Sequence, residues 1–424
     1  MIKVLSAALL MIGSVTASSV LGAAAELNQP IPKEYFGLHI HNNVKAPSWN
    51  PSAAKTPWPS IKFGSWRLWD AYVNWPSLEP LKGKWDFELL DKYVALAEAA
   101  GIDLLLPLGL TPTWASARPN EPSLYRPGNA AEPLDIDDWR TYVRTVAVRY
   151  KGRIKNYELW NEVNLPGFYS GSKEKLVELA REAYQILKDV DPDIIFVSPS
   201  ITGGQHAWLD EYLAKGGAEY LDVVGDHFYV ATRSPEAMVP LIQQAQAVMQ
   251  KHGLDRKPLW NTETGWRIEN RQKKKPRLSA VEQKWKSLSD NLASAYIARS
   301  LILNWAMGVS RFYWYSWDNA HMGLIELDNF TLKPAAVAFD RIARRLTGGI
   351  LKDCDRSRNI WTCSLTQIDG RGMWIVWAEN DMAQDWRIPE GWNIDHVEAL
   401  DGDKLEVKDS SIRIGAEPIF LLKK

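Results

Sequence analysis

The 424-residue chain is 46% hydrophobic and 24% charged, a composition that buries a sizeable core and excludes disordered and collagen-like classes. Lys and Arg total 50 against 51 Asp and Glu, and a net charge of −1 removes the general electrostatic basis for nucleic acid as a partner. Length alone is compatible with two or three domains or with one large β/α barrel.

The chain opens with Lys3, an apolar stretch (Val4, Leu5, then Ala7 to Ile12) and Ala23-Ala24-Ala25, so residues 1–25 read as a signal peptide. No later stretch reaches about 18 uninterrupted apolar residues. No transmembrane segment is therefore expected, and the mature protein is expected in the periplasm or outside the cell. Short apolar runs then alternate with segments of helical period. Strands are expected near Phe36 to His41, Trp66 to Asp70, Ile102 to Gly109, Ile154 to Leu159, Ile194 to Ser198, Val223 to Phe228, Pro258 to Thr262 and Phe312 to Trp317. Helical faces follow, such as Leu89, Leu90, Tyr93, Val94 and Ala97, or Leu288, Leu292, Tyr296 and Leu303. Eight such units across residues 26–345 predict an α/β fold, a closed (β/α)8 TIM barrel.

After Arg345 the texture changes. Short alternating segments at Ile360 to Leu365, Met373 to Ala378, Val397 to Leu400 and Ile419 to Leu422 predict that residues 346–424 form a small antiparallel, sandwich-like β domain with a supporting role. The two cysteines, Cys354 and Cys363, fall in this domain. Export favours a disulfide between them, with two thiols buried on a strand as the other reading.

In a β/α barrel, side chains at the carboxyl ends of the strands carry the chemistry. Two carboxylates stand there: Glu162, closing Tyr157-Glu158-Leu159-Trp160-Asn161-Glu162, and Glu263, closing Leu259-Trp260-Asn261-Thr262-Glu263. Two carboxyl groups about 5 to 5.5 Å apart across a glycosidic bond can act as nucleophile and general acid. The aromatic content, 21 Trp, 15 Tyr and 10 Phe, also suits a sugar, whose C–H faces pack on flat rings while its edges stay polar. Long loops after strands two, three and seven carry Trp69, Trp75, Trp114, Tyr125 and Trp266. The partner expected is an oligosaccharide or polysaccharide.

The Trp160-Asn161-Glu162 triplet on strand four, together with Glu263 on strand seven, resembles the retaining glycoside hydrolases of clan A. With Trp114 after strand three and a C-terminal β domain, the order of features looks most like family 39, including its exported exopolysaccharide endoglycosidases. The resemblance spans Phe36 to Arg345 and implies retention of anomeric configuration with no metal and no organic cofactor. It implies that Glu263 is the nucleophile, Glu162 the acid/base, and Asn161 the group that holds the sugar 2-hydroxyl. Arg67 would keep Glu263 ionised and Tyr229 would orient it. His39, His41, His227, Trp114 and Trp266 are candidate substrate contacts, with Trp314 and Trp317 as the stacking floor. Where the family often has Pro after the acid/base, this chain has Val163.

Two other readings are carried forward. His39-Ile40-His41 places two imidazoles on one side of strand one, as in metal-dependent barrel hydrolases. A catalytically silent carbohydrate-binding barrel in exopolysaccharide assembly would keep the fold without the chemistry. The run Arg271 to Arg277, rich in Lys, is read as a solvated loop, with attraction of an acidic polymer as the alternative.

Overall fold

A computed structural model describes residues 28–46, 52–270, 277–279, 282–379 and 381–424. The signal-peptide segment and residues 271–276 of the basic run lie outside the described residues.

The eight expected strands form one parallel sheet at Phe36–His39, Ser65–Arg67, Asp103–Leu108, Asn156–Leu159, Ile195–Val197 with Ile201–Thr202, Val224–His227, Leu259–Thr264 and Val309–Trp314. Strand one pairs with strands two and eight. The fifth strand is broken and closes the ring with its two pieces. Ile195–Val197 pairs with strand four, Ile201–Thr202 pairs with strand six, and Val197 bridges Val223 between them. The sheet is thus a TIM barrel. Alternation along each strand sends Leu105, Val197, Val223, Trp260 and Tyr313 into the barrel floor. The opposite faces meet the helices.

The helix Glu88–Ala100 buries Leu90, Tyr93, Val94 and Ala97 as its periodicity predicts, and ends at Gly101, whose φ of 64° lets its N–H reach the carbonyls of Ala97 and Glu98. The helix Asp290–Ala306 departs from expectation. Instead of one apolar face it is buried at every position from Ala293 to Ala306, because the C-terminal domain covers its outer side. Leu288, read as part of that face, belongs to the short strand Ser287–Leu288 ahead of the helix.

Residues 350–423 fold into an antiparallel six-stranded sheet and a two-stranded sheet. On the strand Gly372–Ala378, Met373, Ile375 and Trp377 join the core shared with the barrel, while Val376 and Ala378 join a second core under the small sheet. Both faces are therefore buried. Cys354 and Cys363 face each other on adjacent strands and are bridged. The segment before strand one adds to this sheet, with Pro30 bridging Ile350.

A buried ion cluster joins the two parts. The Arg299 guanidinium, fully buried, donates to both Glu236 oxygens, to Asp381 Oδ1 at 2.7 Å and to the Glu379 carbonyl at 3.2 Å; Trp377 Nε1 donates to Glu236 at 2.9 Å. Removing one partner of such a pair leaves an uncompensated buried charge. Arg299→Leu is expected to cost about 3 to 5 kcal/mol in urea-induced unfolding; a loss below about 1 kcal/mol would show that this cluster does not hold the domains together.

Candidate active site

At the end of strand four the backbone turns through two left-handed residues, Trp160 (φ 58°) and Glu162 (φ 42°). Non-glycine residues rarely adopt that conformation, and its concentration at one strand end marks a backbone held by its surroundings. The hold is visible. Trp160 N–H donates to the Leu108 carbonyl at 2.7 Å, its indole is buried, and Val163 N–H donates to the Ser200 carbonyl at 3.3 Å. A proline at position 163 has no N–H to make that last bond.

Strand seven reaches the same point by a different device. Asn261 and Thr264 stand opposite Phe312 and Trp314, three steps against two, so strand seven carries one extra residue. This bulge inverts the alternation. Asn261 faces outward, accepting from Phe228 N–H and donating to Asn304, whereas Thr262 and Glu263 both reach the interior. Gly265 follows, where a Cβ would lie 2.6 Å from the Tyr315 carbonyl oxygen; only glycine lets the ends of strands seven and eight approach this closely.

The centre of the site is Arg67, at 0% exposure. Its Nε donates to Glu158 at 2.6 Å, Nη1 to Glu263 at 2.9 Å and Nη2 to Asn161 Oδ1 at 2.7 Å. Since Asn161 Oδ1 is engaged by Arg67, its amide nitrogen is the group left to donate elsewhere. Glu158 also accepts from Ser200 Oγ and, at 3.2 Å, from Thr262 Oγ1. Tyr229 Oη donates to the other oxygen of Glu263 at 2.9 Å, and burial raises the Tyr229 pKa well above normal, so it remains a donor.

His227 Nδ1 and Glu162 Oε1 lie 3.1 Å apart, within hydrogen-bond distance. One oxygen each of Glu162 and Glu263 and a nitrogen of His227 lie within 4.8 Å of one another. Burial lowers the His227 pKa to about 4, so the ring is neutral at pH 7. Burial also raises both carboxyls to about 7. For Glu263 this outweighs the opposing pull of His227 and Arg67, so an arginine neighbour alone does not keep it low. The pair titrates as a unit. Its first negative charge belongs on Glu263, which has a guanidinium and a phenol donating to it, and the remaining proton belongs on Glu162.

The structure thus brings Glu162, Glu263, Arg67, Asn161, His227 and Tyr229 together. His39 lies just below, its Nε2 3.1 Å from the Thr262 carbonyl, and His41 lies at the mouth. The tryptophans are placed otherwise. Trp314 points outward into the core, where Trp266 stacks on it at 5.9 Å. Trp266 donates to the Arg233 carbonyl and Trp317 to the Pro57 carbonyl, both buried. Trp114 is half-buried against Trp75 and donates to the Glu79 carbonyl. None of these four is a stacking floor in the cleft. The aromatic that faces it from strand eight is Tyr315, one residue on from Trp314, packed on His39 at 5.1 Å and donating to Asp70 at 2.8 Å. Tyr315, Asp70 and Glu158 went unassigned in the sequence reading. Glu158 had a signal, standing two residues from Asn156 on the inward side of strand four.

Among the described residues, Glu162, His227 and Glu263 form the group that could hold a metal ion. A guanidinium already occupies Glu263 and would oppose a divalent cation there. The His39 and His41 rings stand 6.1 Å apart and recruit no carboxylate into such a group.

Residues 78–264 match the family described as glycosyl hydrolases family 39. A curated relative, endo-1,4-beta-xylanase C of Paenibacillus barcinonensis, is 24% identical over 193 residues, covering 39% of this chain and 17% of the relative, so the chain spans under a fifth of that protein's length. A family 39 glycoside hydrolase from Bacteroides cellulosilyticus WH2 superposes with a TM-score of 0.71 at 20% identity over 94% of this chain and 82% of that one. A family 39 beta-xylosidase from Caulobacter crescentus gives 0.63 at 16% over 95% and 99%. A family 30 endoxylanase from Clostridium papyrosolvens C71 gives 0.59 at 14% over 95% and 99%. These likenesses establish the barrel fold.

The charge assignment is testable without a substrate. Infrared difference spectra of the parent should show a protonated carboxyl band that is lost with a midpoint near pH 7, the value to which burial raises Glu162. Glu162→Gln should remove the loss near pH 7, any remaining band being lost at lower pH, because Glu263 then ionises without a charged neighbour. A loss near pH 7 that survives in Glu162→Gln and is absent in Glu263→Gln would reverse the assignment.

Proposed function

We propose, from the match of residues 78–264 to glycosyl hydrolases family 39, that the protein is a retaining glycoside hydrolase acting by double displacement. One observation carries this reading: carboxyl oxygens of Glu162 and Glu263 lie within 4.8 Å, and of these two carboxyls Arg67 and Tyr229 donate to Glu263. An inverting pair stands about 6.5 to 9.5 Å apart to admit a water; this spacing suits direct attack. Glu162 gives its proton to the glycosidic oxygen while Glu263 attacks the anomeric carbon, so the C–O bond to the leaving group breaks as the bond to Glu263 forms. Glu162, now ionised, takes a proton from water, whose oxygen displaces Glu263 and restores the original configuration. Asn161 donates to the 2-hydroxyl, and neutral His227, within hydrogen-bond distance of Glu162, does not compete as an acid.

A carbohydrate-binding barrel needs no buried acid paired with an ionised nucleophile, and that complete set favours the enzyme. The finer reading is an endoglycosidase of bacterial exopolysaccharide, exported to the periplasm or beyond. Its support is the leader pattern of residues 1–25 and the disulfide, which persists in an oxidising compartment. Xylan, the polymer in the relative's name, is the competing substrate. Incubation with bacterial exopolysaccharides and with xylan, followed by mass analysis of fragments, separates the two. Fractionation that finds the chain in the cytoplasm with residues 1–25 intact would overturn the export reading.

The roles of the two carboxyls separate in their variants. Glu263→Ala should be inactive on every substrate, since no glycosyl-enzyme forms. Glu162→Ala should lose about 10²- to 10⁴-fold, keep glycosylation from a good leaving group, and regain turnover with azide, giving a glycosyl azide of the substrate's own configuration. An inverted azide from Glu162→Ala, or a retained one from Glu263→Ala, contradicts the assignment.

A further inference from the structure

At the end of the barrel opposite the catalytic carboxyls, a cavity of 310 Å³ opens between the helix Pro334–Leu346 and the C-terminal domain, a size at the lower edge of small-ligand sites. That helix returns from the mouth after strand eight, and the chain just beyond it is fixed near the start of strand one, where Gly348 N–H donates to the Ile31 carbonyl. No group of the mechanism proposed above lines the cavity.

The helix contributes three arginines to it, Arg341, Arg344 and Arg345, the first spaced three and four residues from the others and so on their face. Two of them are accounted for. Arg344 Nε donates to Asp340 at 2.8 Å, Arg345 pairs with Glu398, and both stand in the last turn, where cations offset the partial negative charge of the helix end. The carboxylate in the wall, Asp369, is itself taken by Arg371 Nε at 2.7 Å. Arg341 stands outside that turn, is half-buried, and has neither an ion pair nor a hydrogen bond among the described residues. Its guanidinium lies against Gly402 (φ 93°), where a Cβ would stand 2.6 Å from Nη1, so glycine leaves the room that the cation fills. One positive charge is thus left over beside two of its own sign, and a partly desolvated guanidinium gains most from an anion held against it.

The rest of the wall narrows the kind of anion. Arg345 Nη1 and Gln367 Oε1 are shielded from water and have no hydrogen-bond partner among the described residues, one a donor and the other an acceptor. A carboxylate alone would match the arginines and leave Gln367 Oε1 unmet. A hydroxyl beside the carboxylate supplies the missing donor. The Arg345 guanidinium stands over the Phe420 ring at 4.2 Å, which fixes its place in the wall, and Ile368, 79% exposed in the adjoining hairpin turn, offers apolar surface to ring C–H groups.

We propose that this cavity binds a sugar acid, a carboxylate carried beside hydroxyls on a ring, with Arg341 as its charge partner and Gln367 accepting from a hydroxyl, so that the protein holds an acidic saccharide at the junction of its two domains and away from the catalytic cleft. The proposal stands apart from the hydrolase reading, because binding is measured without turnover. Calorimetric titration with D-glucuronate and with D-galacturonate should show, for at least one of them, a single site with a Kd of about 1 mM or tighter. Glucose and acetate, each carrying half of the recognised chemistry, and inorganic phosphate should bind at least about tenfold more weakly. Arg341→Gln, which has no partner to lose, and independently Gln367→Met should each weaken the sugar acid by about tenfold or more. Electrophoresis through gels containing alginate, a polymer of uronic acids, tells a chain-borne ligand from a free one: retardation of the parent that Arg341→Gln reduces assigns the site to a polymer, and unretarded migration with the titration intact assigns it to the free acid. A sugar acid seated in the catalytic cleft would be untouched by both variants. That result, no saturable binding, or phosphate or acetate binding as tightly as the sugar acids would overturn the site and leave the hydrolase standing.

Discussion

The site depends on one buried cation. Arg67 is fully buried, so its charge is tolerated only while Glu158, Asn161 and Glu263 all accept from it. Glu158 neutralises the guanidinium from below, anchored by Ser200 and Thr262. Nη1 then orients Glu263 and Nη2 orients Asn161. Strands two, four, five and seven each contribute to this cluster, so the chemistry is assembled only when the barrel closes. A half-satisfied network of this kind would be worse than none.

Closure in turn relies on local departures from regular strand. The fifth strand breaks after Val197 and resumes at Ile201, bringing Ser200 under Glu158 and Thr202 beside strand six. Strand seven takes an extra residue, and strands two, three and four end in left-handed turns at Asp70, Leu110 and Trp160. On strand seven the extra residue re-aims Glu263, which a regular strand would have sent into the helix layer. The sheet holds these positions, and the loops beyond its carboxyl ends form the mouth.

The C-terminal domain acts at a distance from this chemistry. One face of its larger sheet continues the barrel core through Met373, Ile375 and Trp377, and Arg299 ties it to the helix behind strand eight. Its effect is to make that helix an interior element, buried all round, which explains why the helix lacks the polar outer face of its neighbours.

The sequence by itself determined the eight strands, the antiparallel tail and the two strand-end glutamates, because hydrophobic period and chain order are local properties that survive without a partner. It did not determine which way side chains near the strand ends point. Around strand eight, a shift of one residue separates Trp314 in the core from Tyr315 in the cleft, and period two makes such a step a change of face. On strand seven, plain alternation from inward Thr262 would have sent Glu263 outward; the bulge that turns it inward is a relation to strand eight. Glu158 stood in the strand-four run with no role assigned, and its task is set by Arg67, 91 positions away. The charges on Glu162 and Glu263 likewise follow from burial and from partners on other strands. Orientation, pairing and desolvation are properties of the closed barrel, and only the tertiary structure decided them.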